Sequence, residues 1–363
     1  MASNTLFTLS TTLSLLLVLS TADAQDLKVG FYAKSCPNLE AIVFKTTARF
    51  IGVAPTLAAP LLRMHFHDCF IRGCEGSILL NTTNKNAPAE KDAPPNLSLR
   101  GYHVIDAVKA AVEKACPGVV SCADLLALVA RDVVTQIKGP HWQVETGRRD
   151  GKVSIALETR NLPPPSANIT LLKSMFGAVG LNAKDIVVLS GAHTIGNSHC
   201  SSFSNRIYNY SGRADFTDTD PKLDSEYVPR LRSKCRSPND LTTIVEMDPG
   251  SFRTFDSDYY KLVSKRRGIF ESDAALLSDP ETKAYVARRI NGPIEEFFRD
   301  FGESMVKMGR MESSQGRMGR SGSNAGLSIA RFVFPACIAL HVSLVLVVCS
   351  YVVCSYVSCV DGI

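Results

Sequence analysis

The sequence predicts a mainly α-helical globular body over residues 25–310. Three observations carry that reading. Apolar residues recur at helical spacing through the middle of the chain. Strictly alternating stretches are few and short, and Pro-rich segments separate the periodic ones. Hydrophobic residues make up 45% and charged residues 21%, enough apolar material for a packed core, which excludes a disordered or collagen-like chain. At 363 residues the chain suits two domains or one large one, and no internal repeat is visible.

Taken in order, the first helix is predicted over 57–67, with Pro60 in the first turn, where its missing N–H is harmless. Segments 104–114 and 123–134 repeat the pattern, the second capped by Ser121. Helices are then predicted over 168–179, 184–190 and 202–208, and again over 259–264, 283–290 and 293–308. Ala93-Pro94-Pro95-Asn96 and Leu162-Pro163-Pro164-Pro165 mark loops.

The two ends read differently. Residues 1–24 carry no Lys or Arg; an apolar run over 13–19 leads to Ala22-Asp23-Ala24, a small-x-small cleavage pattern, so the segment reads as a secretory signal peptide. Residues 311–363 form an atypical tail whose stretch 332–360 has no charged side chain. Three readings of that tail stay open. The small residues Ser321 to Gly326 ahead of it fit a glycolipid-anchor signal. A plain membrane helix is the second reading. An altered reading frame or splice junction is the third.

The net charge of +5 is too small, and too evenly spread, to argue for nucleic acid, and the single Trp142 offers no stacking platform. Eleven cysteines are present, seven of them in the body. With no CxxC pair and no His at zinc-finger spacing, a structural zinc site is improbable. In an exported chain the body cysteines read as a disulfide framework with one partner missing.

The densest polar constellation is Leu62-Arg63-Met64-His65-Phe66-His67-Asp68-Cys69. Arg63 and His67 are four apart, so they share a helix face, with Phe66 beside them, while Asp68 is turned about 100° away. A second histidine, His193, lies in Gly191-Ala192-His193-Thr194-Ile195-Gly196, where small neighbours admit a flat, bulky group. Alone, such a histidine is more often a satisfied core residue than a ligand.

Together these motifs resemble the secreted plant (class III) haem peroxidases. Glu90-Lys91-Asp92, Arg100-Gly101-Tyr102, Val119-Val120-Ser121-Cys122-Ala123-Asp124, Gly147-Arg148-Arg149-Asp150-Gly151 and Asp248-Pro249-Gly250-Ser251 follow in the family's order. The resemblance covers residues 26 to about 310. It implies a haem peroxidase fold, with haem b between a distal and a proximal helical half. His193 would be the axial iron ligand, with Asp273 as its carboxylate partner. On the other face His67 would move the peroxide proton and Arg63 would stabilise developing charge, with Phe66 lining the cofactor site. Asn96, held by Glu90, would orient His67; that role buries the Asn96 sequon, so no sugar is expected there. Sequons at Asn81, Asn168 and Asn209 remain.

The resemblance further implies two calcium ions. The first set is Asp68, Ile71, Gly73, Glu75 and Ser77, with Glu75 standing where the family has Asp; weakened binding is expected from the longer side chain. The second is Thr194, Asp248, Ser251, Thr254 and Asp256. Pro165 matches a residue at the rim where phenols dock. Disulfides Cys36–Cys116, Cys69–Cys74 and Cys200–Cys235 transfer. The fourth would join Cys122 to a cysteine soon after the last helix; that cysteine is absent, and Cys337 is the stand-in considered.

The expected function is therefore reduction of hydrogen peroxide with one-electron oxidation of small phenolic donors, in wall cross-linking or peroxide removal. The protein is expected outside the cell or in the wall, as a monomer, with a membrane or glycolipid anchor left open. Three rivals stand beside it: a non-enzymatic haem or ligand carrier, a membrane-tethered structural glycoprotein, and a product that folds poorly because its C-terminus is altered.

Overall fold

The structure is a computed structural model that describes residues 27–311, other than Ala214 and Phe216, together with Cys359. The expected signal peptide and, save for Cys359, the apolar stretch 332–360 lie outside the described residues.

The described body is predominantly helical, as the periodicity predicts. Helix α1 is Leu39–Val53, α2 Ala58–Arg72, α3 Tyr102–Ala115 and α4 Cys122–Gln136. Then come α5 Ile169–Ala178, α6 Ala183–Ser190, α7 Ser204–Ile207 and α8 Val228–Lys234. The last are α9 Asp258–Ser264, α10 Glu271–Ala275, α11 Pro280–Arg289 and α12 Ile294–Gly309. The strands are short and antiparallel: β1 Lys28–Val29 pairs with β2 Glu145–Thr146, and β3 Asn197–His199 with β4 Ile244–Glu246. Among the described residues no single helix is long and apolar enough to cross a membrane.

Helices α8 and α10 were not predicted, and two further elements differ from expectation for clear reasons. Helix α1 was not predicted. Its buried stripe is Leu39, Val43, Thr47 and Ile51, and the polar Thr47 breaks the apolar signal. The Thr47 hydroxyl is satisfied by the Val43 carbonyl at 3.0 Å, so burying it carries little penalty. Helix α2 continues past His67 to Arg72, where Gly73 turns the chain at φ 95°. Asp68 and Cys69 are thus helical and buried. The predicted caps are present: Ser121 Oγ accepts from Asp124 N, and Asn168 Oδ1 from Leu171 N.

Helix α2 packs along α4, and α1 lies against α3 and α4. Helix α6 sits between α11 and α12. Most buried apolar side chains join one core; a smaller cluster gathers Phe203, Ile207, Leu223 and Leu231 around Cys200–Cys235.

Two sequence motifs that carried no assigned chemistry turn out to stitch this core together. Asp124 is fully buried and accepts from Tyr32 Oη at 2.8 Å, Gly147 N at 2.7 Å and Arg148 Nη1 at 2.8 Å. Arg148 in turn donates to the Gly309 carbonyl at 2.7 Å, joining the end of α12 to α4. Asp150 accepts the N–H groups of Cys122 and Ala123, two of the orphan donors at the start of α4.

The three expected disulfides form, and a fourth is present: Cys122 is bonded to Cys359. The partner of Cys122 is therefore Cys359 and not Cys337; the cysteine expected soon after the last helix is indeed missing from the sequence.

Asp124→Ala should destabilise the protein by about 3–5 kcal/mol, because it leaves the buried Arg148 guanidinium without its carboxylate. Lys261→Ala, which removes a pair half exposed on both sides, should change stability by less than about 1 kcal/mol. Urea denaturation of both variants checks the contrast.

Candidate active site

The face of α2 predicted to carry chemistry brings Arg63 and His67 together. His67 is buried, and its Nδ1 lies 2.5 Å from Asn96 Oδ1. Asn96 Nδ2 is committed as a donor to the Glu90 main-chain carbonyl at 2.7 Å, so Oδ1 must be the acceptor and His67 Nδ1 the donor. That places the free lone pair on Nε2, which receives Arg63 Nε–H at 3.1 Å. Burial, with the Arg63 charge adding to it, lowers the imidazole to about 3, against the opposing pull of the Asn96 bond. His67 is thus a neutral base of fixed tautomer. Arg63 faces open space and is fixed by Ser98 Oγ at 2.8 Å and the Pro95 carbonyl at 2.7 Å. Phe66 is half-buried beside it, its ring 4.3 Å from that of Phe70.

Glu90 holds Asn96 through its backbone, not its carboxylate. The Glu90 carboxylate is buried with neither oxygen hydrogen-bonded. It shares its surroundings with Asp68 and Glu75, both buried, and with Ser77, whose Oγ also lacks a partner. Burial and the Asp68 charge push Glu90 up to about 8. Burial likewise pushes Asp68 up to about 7, despite hydrogen bonds from the Gly76 and Ile78 amides. One Glu75 oxygen is engaged by Arg72 Nε at 2.9 Å, and Arg72 continues to Glu158 at 2.6 Å. The Ile71 carbonyl accepts from Asn161, and Gly73 ends α2. Buried acids and unpartnered oxygens brought together in this way have the donor set of a hard-cation site.

The second histidine sits in a short 3-10 turn, Gly191–Thr194, at the end of α6. His193 is partly exposed, and its Nδ1 lies 2.8 Å from Asp273 Oδ1. Asp273 is buried at the head of α10. Burial alone would raise its carboxyl, but His193, the Phe270 amide and the Tyr259 hydroxyl together hold it below its usual range. The carboxylate makes His193 Nδ1 the donor and leaves Nε2 for a metal. The His193 ring is edged by Tyr259 and Phe270 at 5.7 and 5.2 Å between centroids. Only glycine fits at 191, since a Cβ there would lie 2.5 Å from Tyr260 Oη. A Cβ at Gly196 would lie 2.7 Å from Ala59 Cβ, so the strand after His193 rests on the start of α2, the helix that carries Arg63 and His67.

Thr194 is fully buried, and its Oγ1 lies 2.9 Å from Asp256 and 3.3 Å from Asp248. Burial and the neighbouring Asp256 and Asp258 push Asp248 up to about 7, and Ser251 Oγ is buried with no partner. The Thr254 amide closes this turn onto the Ser251 carbonyl at 2.7 Å. Pro165 is exposed, and its carbonyl accepts from Ser272 N at 2.9 Å, next to Asp273. The tight group His65, Cys69 and Cys74 is no metal site, because both sulfurs are spent in a disulfide.

Haem fits the residues present. A carboxylate-oriented imidazole with a free Nε2 meets the need for an axial ligand. A neutral imidazole with a fixed cation on α2 meets the need for acid–base and electrostatic help. Sequence reasoning missed Ser98, the Pro95 carbonyl and Tyr259. The first two lie in a Pro-rich loop that reads only as a turn; Tyr259 reads as ordinary core.

Comparison with known proteins agrees with this geometry. A protein-family model described as Peroxidase matches residues 43–291. The chain is 58% identical over 299 residues to Peroxidase 1 of Oryza sativa subsp. japonica, covering 82% of this chain and 91% of that one. It is 57% identical over 307 residues to Peroxidase 27 of Arabidopsis thaliana, covering 85% and 94%. Peroxidase 56 of Arabidopsis thaliana is 57% identical over 298 residues, covering 82% and 89%.

Both buried imidazoles of α2, His65 and His67, are held at about 3 when folded, against 6.5 when free. The unfolded chain therefore takes up protons below 6.5 that the folded chain refuses. Their contribution to stability should be full above pH 6.5 and should be lost progressively as the pH falls toward 3. Denaturation midpoints measured across that range should fall on the acid side, and replacing His65 with an apolar residue should flatten the slope.

Proposed function

The chain belongs to the plant (class III) peroxidase family and is a haem-dependent peroxidase; from that premise we propose how its residues divide the work. When bound, haem would supply the iron at which the peroxide O–O bond is split and would store the two oxidising equivalents delivered by the peroxide. His193 would hold the cofactor through Nε2, made more electron-donating by Asp273 at Nδ1. His67 Nε2 takes the proton from the near oxygen of hydrogen peroxide and returns it to the departing one, which leaves as water. Arg63, held by Ser98 and Pro95, offers its positive charge to that departing oxygen. Overall, one hydrogen peroxide and two donors, each losing one electron and one proton, give two waters and two donor radicals.

The observation that carries this reading is the tautomer of His67. A base must present a lone pair, and the Asn96 bond to Nδ1 keeps that lone pair on Nε2. A simple carrier of haem has no use for such a base, which disfavours the binding-only reading. Asn96 is a positioning residue, and Glu90 acts on it through its carbonyl.

Two calcium ions complete the proposal. Asp68, Glu75, Ser77 and the carbonyls of Ile71 and Gly73 would hold one, beside the unpartnered Glu90 carboxylate. Thr194, Asp248, Ser251, Thr254 and Asp256 would hold the other. The Glu75–Arg72 pair competes with the first ion, so that site should be the weaker. The donors are proposed to be small phenolics meeting the protein at the rim near Pro165. Export is proposed from the leader-like residues 1–24 and from the four disulfides. The body is expected to act as a monomer.

His67→Ala should slow peroxide cleavage by about 10²–10⁴-fold in stopped-flow spectra while leaving haem bound. Unchanged kinetics would remove His67 from the mechanism. Removing calcium with a chelator should lower the melting temperature, and graded calcium should restore it in two steps, the step abolished by Asp68→Asn needing the higher concentration. A single step, or no response, would refute the two-site assignment.

A further inference from the structure

The bond between Cys122 and Cys359 bears on two readings of the tail, the membrane helix and the glycolipid signal. Met311 and Cys359 are both buried in the main core. The Met311 carbonyl accepts from Cys74 N, and Cys122 opens α4 with its N–H on Asp150. Met311 and Cys359 are therefore both fixed to the same folded unit.

That topology has consequences for a membrane. A single crossing would put Cys359 on the far side from Cys122, where the two sulfurs could not bond. Crossing twice would need roughly 40 apolar residues, about 20 per span. The uncharged stretch 332–360 supplies only 29. A glycolipid signal fares no better, because cleavage among Ser321 to Gly326 would discard Cys359. Bridge and anchor are mutually exclusive.

We infer that the mature protein keeps its C-terminal tail, tied to α4 by the Cys122–Cys359 disulfide, and that the apolar stretch 332–360 is neither a membrane span nor a signal exchanged for a glycolipid. Closing the bridge takes one proton and one electron from each thiol. An oxidised dithiol carrier of the export compartment accepts both pairs, its own disulfide being reduced to two thiols. The inference does not depend on the peroxide chemistry and would stand if that reading failed.

The test uses the full chain secreted from a eukaryotic host. Intact mass and a peptide map, both without reduction, are taken on the protein recovered from medium and from membranes. Cleavage after Tyr356 isolates residues 357–363, with Cys359 as their only cysteine. The expected result is a soluble protein whose mass runs to Ile363 and whose 357–363 peptide is released from the Cys122 peptide only on reduction. Three results overturn the inference: a chain ending among residues 321–326 with an attached glycolipid, protein that resists alkaline extraction from membranes, or Cys122 bonded to Cys337, Cys349 or Cys354. In Cys359→Ser, Cys122 should become reactive to maleimide, one label more than the parent; a Cys122 still bridged also counts against the inference. If that variant does not fold, the parent's map still decides.

Discussion

One kind of hydrogen bond, made twice with different partners, organises this molecule. Both site histidines donate through Nδ1 and keep their lone pair on Nε2. His67 donates to the neutral amide of Asn96, and His193 to the charged carboxylate of Asp273. The acceptor's charge sets the character of the opposite nitrogen. An amide fixes the tautomer while leaving an ordinary neutral base; a carboxylate pushes electron density through the ring and makes a stronger metal ligand. Two identical side chains thus acquire different work from their neighbours alone.

The surrounding structure reads as support for those two bonds. Asn96 reaches His67 only because the Glu90 carbonyl holds its amide, and the Glu90 carboxylate faces the buried acids Asp68 and Glu75. A cation there would couple the loop that carries Asn96 to the helix that carries His67, because Asp68 follows His67 directly on α2. On the other side, Tyr259 and the Phe270 amide satisfy the remaining valences of Asp273, so a fully buried carboxylate stays ionised. Thr194, next to His193, reaches Asp248 and Asp256 in the same way. Each imidazole is therefore one residue from a cluster of hard oxygen donors.

Much of this was legible in the sequence. Arg63 and His67 at a spacing of four announced a shared helix face, and small residues around His193 announced room for a flat group. Helices α2 to α7, α9, α11 and α12 follow from apolar spacing. What escaped was whatever is decided by polar groups in buried places. Thr47 hid α1, because a buried hydroxyl bonded to its own helix looks like a surface residue in a periodic pattern. Glu90 read as a side-chain partner but acts on Asn96 through its backbone, which no residue type reveals. Asp124 and Arg148 stood out as motifs, yet their role in tying α4 to the end of α12 needs the contact itself. Cys359 could not be assigned because pairing depends on where the chain returns.

The asymmetry between the two histidines is tested most directly by low-temperature electron paramagnetic resonance of the purified ferric protein. A high-spin signal is predicted, with His193 as the one strong axial ligand and His67 held off the metal by its bonds to Asn96 and Arg63. A low-spin signal from two coordinated imidazoles would contradict it, because His67 would then be a ligand and its Nε2 could not serve as a base.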